Sequence, residues 1–230
     1  MENRSSDVLI SLYRKRAKRY DRSTLLLYLA GFHHWAYRKR AVESLALSQG
    51  DTVVDIGCGT GLNFSLLQAR VGPSGRIIGV DLTDAMLDQA AERVAAANWS
   101  NVELVKSDAA NYEFPSGSDG ILSTFALTLV PEFDQVVRNG ASVLAPGKRF
   151  VVLDFKRPSG WLMKKAAPLL AKLLTGPFGG TLEMASRKPW LSLKTYMALV
   201  QFTSLYMGGA YIATGEKAGL SAVSGGTNES

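Results

Sequence analysis

The sequence predicts an α/β fold in which a mostly parallel β-sheet is covered by helices. From Thr52 onward, short apolar runs rich in β-branched residues alternate with stretches of helical spacing, as in a chain of strand–helix units. Two final apolar runs, residues 197–202 and 209–214, are separated by a short link containing glycine and predict a terminal hairpin. The length of 230 residues and the 47% hydrophobic content favour one domain with appendages.

The elements follow in order along the chain. Five strands are predicted at residues 52–56, 76–81, 102–106, 120–124 and 149–154, and the hairpin brings the total to seven. Thr83 is a suitable N-cap for a helix in which Met86, Leu87 and Ala90 recur at helical spacing, and a second helix is predicted over 132–144. The segments VGPSGR (71–76) and APGKR (145–149) predict turns.

Two basic segments flank this core. Residues 5–40 predict a helical region with apolar residues, Tyr13 among them, on one face and basic residues elsewhere, and residues 161–174 repeat the pattern around Pro168. Each segment fits a helix lying in a membrane interface or an ordinary helix packed on the domain with its lysines in water. The Ser- and Gly-rich residues 221–230 predict a disordered tail.

Charge and cysteine content restrict the function. Basic residues outnumber acidic ones in residues 1–40 and 148–230, whereas acidic residues dominate residues 41–147. The basic flanks indicate an anionic partner or simply a solvated surface. A single cysteine, Cys58, excludes an internal disulfide framework. We interpret Cys58 as a small buried side chain with no chemical role. No signal peptide or membrane-spanning run is visible, so we expect a cytoplasmic protein.

The segment VVDIGCGTGLN (53–63) carries the main functional signal. A buried strand that contains Asp55 leads into Gly57, Gly59 and Gly61, and a helix is predicted to begin near Leu62. Such glycines permit a tight turn and let a nucleotide cofactor approach the backbone. Asp81 ends the next strand, where a carboxylate can accept hydrogen bonds from both ribose hydroxyls.

These residues resemble motif I of the class I S-adenosylmethionine-dependent methyltransferases. The resemblance covers about residues 52–214 and implies a Rossmann-like seven-stranded sheet with an antiparallel last strand and helices on both faces. It implies that S-adenosylmethionine binds and leaves as S-adenosylhomocysteine, without a metal. The implied cofactor contacts are Asp55, Gly57 and Gly59 at the methionyl part, Asp81 at the ribose, Leu82, Met86, Asp108 and Ala109 at the adenine, and Thr124 at the end of the fourth strand. For Asp108, a role in capping a turn is the alternative.

The acceptor is expected at residues 123–129, where the fourth strand ends. The Asn/Asp-Pro-Pro-aromatic sequence typical of nucleic-acid and protein amide N-methyltransferases is absent there, so a nucleic-acid partner is not expected. A pocket lined by Phe125, Leu127 and Leu129 suits a lipid or another hydrophobic acceptor.

Two branches of the family compete. Residues 19–40, with Tyr20, Asp21 and His33, resemble the N-terminal segment of the ubiquinone and menaquinone C-methyltransferases, as does LDFKRP (153–158). Their Arg-Asn-x-Thr-Asp after strand four is replaced by FALTLVPEF, which resembles the bacterial phospholipid N-methyltransferases. We therefore predict methylation of the amine of phosphatidylethanolamine. The alternatives are C-methylation of a quinone precursor, methylation of a soluble small molecule, and cofactor or membrane binding without turnover.

This prediction has consequences for organisation and partners. Residues 1–45 are expected to form a helical lid in which Tyr20 orients the cofactor or the acceptor, followed by the methyltransferase domain (46–217, with an insertion near the substrate mouth at 155–195) and the tail (218–230). The protein is expected to associate peripherally with the inner face of the membrane through its basic segments. The candidate phosphate ligands are Arg14, Lys15, Arg19, Lys156, Arg157, Arg187 and Lys188.

Overall fold

The computed structural model describes residues 11–15, 17, 31–157 and 184–219. Tyr20, Arg19, the basic segment 161–174 and the tail 221–230 lie outside the described residues. Within the described ranges, no helix has the length and apolar character needed to cross a membrane.

The core is a seven-stranded sheet in the order β3-β2-β1-β4-β5-β7-β6. Its strands are β1 (Thr52–Ile56), β2 (Arg76–Asp81), β3 (Val102–Lys106), β4 (Ser118–Thr124), β5 (Leu144–Phe155), β6 (Leu199–Leu205) and β7 (Ala210–Glu216). Strands β1 to β5 pair in parallel, and β7 runs antiparallel to both β5 and β6. The predicted Rossmann-like sheet with an antiparallel last strand is confirmed.

Helices cover both faces of the sheet, as predicted. They are α1 (His34–Ser44), α2 (Phe64–Val71), α3 (Asp84–Ala96), α4 (Phe133–Val143) and α5 (Pro189–Tyr196). Helices α1, α2 and α3 contribute to one apolar cluster that includes Phe32, Phe64 and Leu122. Helices α4 and α5 contribute to a second cluster that includes Ile121, Val137 and Leu193.

Several predicted boundaries differ from the structure. Strands β1, β2 and β3 have the predicted bounds, but β4 begins two residues earlier than expected and the hairpin strands begin and end later. The expected turn at APGKR lies within β5, where the pairing with β4 jumps from Leu144 to Arg149 and Gly147, with a left-handed φ of 77°, donates its N–H to the Lys217 carbonyl oxygen. The helix after the glycine loop begins at Phe64, since residues 60–63 form turns.

Candidate active site

A pocket opens at the carboxyl ends of β1, β2 and β4. Because the strand order reverses between β1 and β4, the loops that leave these strands diverge and create a crevice at this edge of the sheet. The described lining comes from the loops after β1, β2, β3 and β4, together with Tyr13 from the N-terminal region. This crevice is where ligands bind in open α/β sheets.

The glycine loop after β1 leaves backbone open to the pocket. The N–H groups of Gly57 and Cys58 both donate to the carbonyl oxygen of Val80, at 2.8 and 3.0 Å, which fixes the start of the loop against β2. Gly59 has a φ of +56°, and a side chain built there would meet nothing within 4 Å. The loop therefore offers a space that any side chain at residue 59 would fill, which fits close approach of a cofactor to the backbone.

Asp81 organises the rim opposite this loop. Its Oδ2 accepts the N–H of Gly59 at 2.9 Å, and its Oδ1 accepts the N–H of Thr83 at 2.8 Å. Burial raises the pKa of Asp81, while the hydrogen bonds from the Thr83 and Gly59 backbone oppose the rise. The carboxylate thus stands at the end of β2 on the pocket wall, where its remaining lone pairs can accept ribose hydroxyls.

The predicted adenine side is assembled from two neighbouring loops. Leu82, Met86, Asp108 and Ala109 all line the same pocket as Gly57, Gly59 and Asp81. Leu82 is 37% exposed, so its apolar side chain offers a surface on which a flat ring can pack. Asp108 also caps a turn, since its Oδ1 accepts the N–H of Ala110 at 3.0 Å. Both roles predicted for Asp108 are therefore compatible with the structure.

Asp55 and Thr124 lie behind the pocket wall. Asp55 is fully buried and accepts two hydrogen bonds from Asn63 Nδ2, at 3.1 and 2.9 Å. Thr124 Oγ1 accepts from Asn63 Nδ2 at 3.0 Å and from Arg38. Neither residue is among the pocket-lining residues, and both are hydrogen-bonded to Asn63 beside the glycine loop, so their contact with the cofactor stays a prediction.

Sequence reasoning missed Arg38 and Asn63, which complete this buried cluster. Arg38, on α1, is only 5% exposed, and its Nη1 donates to Asn63 Oδ1 at 2.9 Å. Burial raises the pKa of Asp55 to about 7, against the lowering effects of the Asn63 hydrogen bond and of the Arg38 charge. The sequence pattern gave no signal for Arg38, because charged side chains are normally exposed.

The acceptor side of the pocket is apolar. Phe125, Ala126, Leu129, Val130 and Pro131 line it, and Glu132 closes it at the start of α4. Leu127, which was predicted to line this pocket, is instead fully buried in the core. Thr128 is also buried, where its hydroxyl donates to Asp154 at 2.8 Å. Two of the nine residues of FALTLVPEF are therefore buried, so packing constrains this stretch as well as contact with a substrate.

The N-terminal region reaches the pocket through a short helical stretch. Tyr13 lines the cavity, and the neighbouring Arg14 forms a two-point ion pair with Asp84 at the start of α3, at 2.8 and 2.6 Å. Arg14 holds the pKa of Asp84 well below its usual range. Arg187 donates to the Thr128 carbonyl oxygen at 2.9 Å. Arg14, Lys15, Arg157 and Lys188 are exposed, and Arg187 is half-buried.

A glycine loop, an acidic residue ending β2 and a seven-stranded sheet with an antiparallel last strand define a class I S-adenosylmethionine-dependent methyltransferase. Residues 1–202 match the model of the ubiE/COQ5 methyltransferase family, and the chain belongs to that family. The cofactor is accordingly S-adenosylmethionine. Among the described residues, no three metal-ligating side chains converge.

Individual relatives agree with this assignment. The ubiquinone/menaquinone biosynthesis C-methyltransferase UbiE of Pseudomonas fluorescens (strain Pf0-1) is 31% identical over 184 residues, covering 76% of this chain and 71% of the relative. A demethylmenaquinone methyltransferase of Listeria monocytogenes is 32% identical over 154 residues, covering 65% and 64%. The solved geranyl diphosphate C-methyltransferase of Streptomyces coelicolor, bound to S-adenosyl-L-homocysteine, has a TM-score of 0.62 at 16% identity, covering 80% and 79%, and shares the fold.

The prediction of phosphatidylethanolamine as the acceptor is wrong. The relatives from Pseudomonas and Listeria are named for ubiquinone, menaquinone and demethylmenaquinone, which favours the alternative prediction of a quinone acceptor. The error came from the stretch after β4, where the resemblance of FALTLVPEF to the phospholipid N-methyltransferases decided the acceptor; Leu127, which was predicted to face that acceptor, is buried.

Proposed function

We propose that the protein transfers a methyl group from S-adenosylmethionine to a ring carbon of a quinone precursor in its hydroquinone form. The apolar part of the acceptor wall carries this proposal, because Phe125, Ala126 and Leu129 offer surface to a flat ring and a hydrocarbon tail. The relatives named for ubiquinone, menaquinone and demethylmenaquinone support the same acceptor class.

The chemistry requires little from the protein beyond alignment and exclusion of water. When bound, the cofactor supplies an electrophilic methyl group and its own leaving group. The ring carbon beside a hydroxyl would bond to the transferred methyl group, the cofactor would leave as the thioether S-adenosylhomocysteine, and the proton of that ring carbon would pass to water, which restores the aromatic ring. The chain's part is to hold the ring against the glycine loop in line with this bond.

The test uses purified protein, methyl-labelled S-adenosylmethionine and reduced demethylmenaquinone in detergent micelles. We expect label in the extracted quinone. Menaquinone, whose ring position is already methylated, is the matched control acceptor and should take up none. If demethylmenaquinone stays unlabelled while a water-soluble acceptor is methylated by the same preparation, the quinone proposal is refuted.

We also propose that the protein meets its lipophilic acceptor by associating peripherally with the cytoplasmic face of the membrane. Lys15, Arg157 and Lys188 are exposed and basic, and each such residue near an anionic surface adds about 1 kcal/mol of attraction. Flotation with phosphatidylglycerol-containing vesicles at low salt should recover the protein, and high salt or neutral vesicles should release it. Equal recovery with anionic and neutral vesicles would contradict the proposal.

A further inference from the structure

Arg38 contacts both walls of the pocket from behind. Its Nη1 donates to Asn63 Oδ1 at 2.9 Å and also to Thr124 Oγ1. Its guanidinium carbon lies 5.2 Å from the centre of the Phe125 ring, within the range of a cation–π contact. One buried side chain on α1 therefore contacts the residue just before α2, the end of β4 and the first residue of the acceptor wall.

On the cofactor side, the contact passes through Asn63 to Asp55. Asn63 Nδ2 donates to both carboxylate oxygens of Asp55, two residues before Gly57. Asn63 is itself only 1% exposed, so its amide has no water to replace these partners. The loop that receives the cofactor is thus supported from below by a hydrogen-bonded chain that ends at Arg38.

On the acceptor side, the contact holds a strained residue. Phe125 has a φ of +57°, a left-handed conformation that a non-glycine residue adopts at a cost, and its N–H donates to the Leu153 carbonyl oxygen at 2.7 Å. Its ring packs on Phe32 and Phe155 at centroid distances of 5.7 and 4.9 Å. The guanidinium completes this cage around the aromatic ring that lines the pocket.

We propose that Arg38 is a positioning residue that fixes the cofactor loop and the acceptor wall in one arrangement. The inference rests on the proposed function for the identity of the acceptor. The effect of Arg38 on cofactor binding does not depend on that proposal. A guanidinium at this position contacts both the Phe125 ring and Asn63, which is hydrogen-bonded to Asp55. A neutral or shorter side chain cannot make both contacts. Loss of Arg38 should loosen both walls while the sheet stays intact.

The first test measures S-adenosylhomocysteine binding by calorimetry, without any acceptor. Arg38→Met keeps much of the apolar stem and should weaken binding about 10-fold or more, because a buried charged hydrogen bond contributes about 1.5–3 kcal/mol. Arg38→Lys should recover part of the loss. Lys39→Met removes an exposed cation from the same helix and should bind like the wild type.

The second readout is the pH dependence of S-adenosylhomocysteine binding. If Arg38 only stabilised the fold, its removal would not shift the midpoint of this pH profile. Asp55 faces two charged groups, Arg38 and Asp81, of which Arg38 lowers and Asp81 raises its pKa. Removing Arg38 should therefore shift the midpoint of the pH profile upward, and Lys39→Met should leave it unchanged. Circular dichroism melting identifies any variant that fails to fold.

A gentler variant keeps the proposal falsifiable if Arg38→Met does not fold. Thr124→Val removes a hydrogen-bond acceptor of Arg38 at nearly constant volume and should weaken binding by several-fold. If folded Arg38→Met and Thr124→Val both match the wild type in affinity and pH midpoint, the inference is overturned. Because no quinone is used, that result is distinguishable from failure of the proposed acceptor.

Discussion

Replacing Gly57 and Gly59 separately by alanine tests how the loop is built. Both glycines have a left-handed φ, +65° and +56°, so either alanine carries a backbone cost of about 1–2 kcal/mol. They differ in the space available. A Cβ at residue 57 would lie 2.3 Å from Ala126 Cβ, whereas a Cβ at residue 59 meets nothing within 4 Å.

The two variants should therefore fail in different assays. Carbon atoms pack at about 3.5–4.0 Å, so Gly57→Ala forces the loop and the acceptor wall apart and adds about 1–3 kcal/mol to the loss of stability. Gly59→Ala places its methyl group where the cofactor approaches the backbone. It should lose about 1–2 kcal/mol of stability and bind S-adenosylhomocysteine about 10-fold more weakly or worse.

Urea denaturation and calorimetry measure the two effects. Ala126→Gly in the Gly57→Ala background removes the colliding methyl group and should restore about 1–3 kcal/mol as a coupling energy. Ala126 has a φ of −131°, so glycine there needs no unusual backbone. Equal stability losses for both single variants, or no recovery in the double variant, would refute this reasoning.

Three further predictions concern carboxylates. Asp81→Asn loses an ionised acceptor and should weaken S-adenosylhomocysteine binding about 10–100-fold by calorimetry, since hydrogen bonds to charged groups contribute about 1.5–3 kcal/mol; unchanged affinity would contradict the assigned role. The raised pKa of Asp55, about 7, means that the folded protein holds a proton that the unfolded chain releases near pH 4, so the free energy of unfolding should fall as pH rises from about 4 to about 7. The loss of unfolding free energy is on the order of 4 kcal/mol for Asp55. In denaturation experiments, the stability of Asp55→Asn should fall less steeply with pH, and the remaining decrease comes in part from Asp154, whose pKa is about 6. Asp84→Asn removes the exposed partner of Arg14 and should speed S-adenosylhomocysteine release in stopped-flow experiments at low salt, with no difference from the wild type at 1 M salt.

Much of the sheet could be predicted because its strands are short apolar runs between turn residues. Strands β1, β2 and β3 have the predicted bounds, and each ends where a turn or a charged residue interrupts the apolar pattern. β5 was less predictable because Gly147 continues the strand in a left-handed conformation stabilised by pairing with Lys217, a partner distant in sequence. Local pattern alone carries no information on such pairing.

The pocket was predictable in part for the same reason. Gly57, Gly59, Asp81, Leu82, Met86, Asp108 and Ala109 follow strands directly, and the parallel sheet brings the ends of those strands together. The positions of Asp55 and Thr124 depend on Asn63 and Arg38, which the fold brings to them from 8 to 86 residues away. A charged residue such as Arg38 is normally exposed, so nothing in the sequence pattern placed it beneath the loop.

The most direct test of the proposed function is the position of the transferred methyl group. Reduced demethylmenaquinone is incubated with the protein and S-adenosylmethionine that carries a ¹³C-labelled methyl group, and the extracted product is examined by NMR. The proposal predicts a ¹³C methyl resonance at the chemical shift of a methyl bound to a ring carbon. A methoxy resonance, or an unlabelled ring from a preparation that methylates another acceptor, would contradict it.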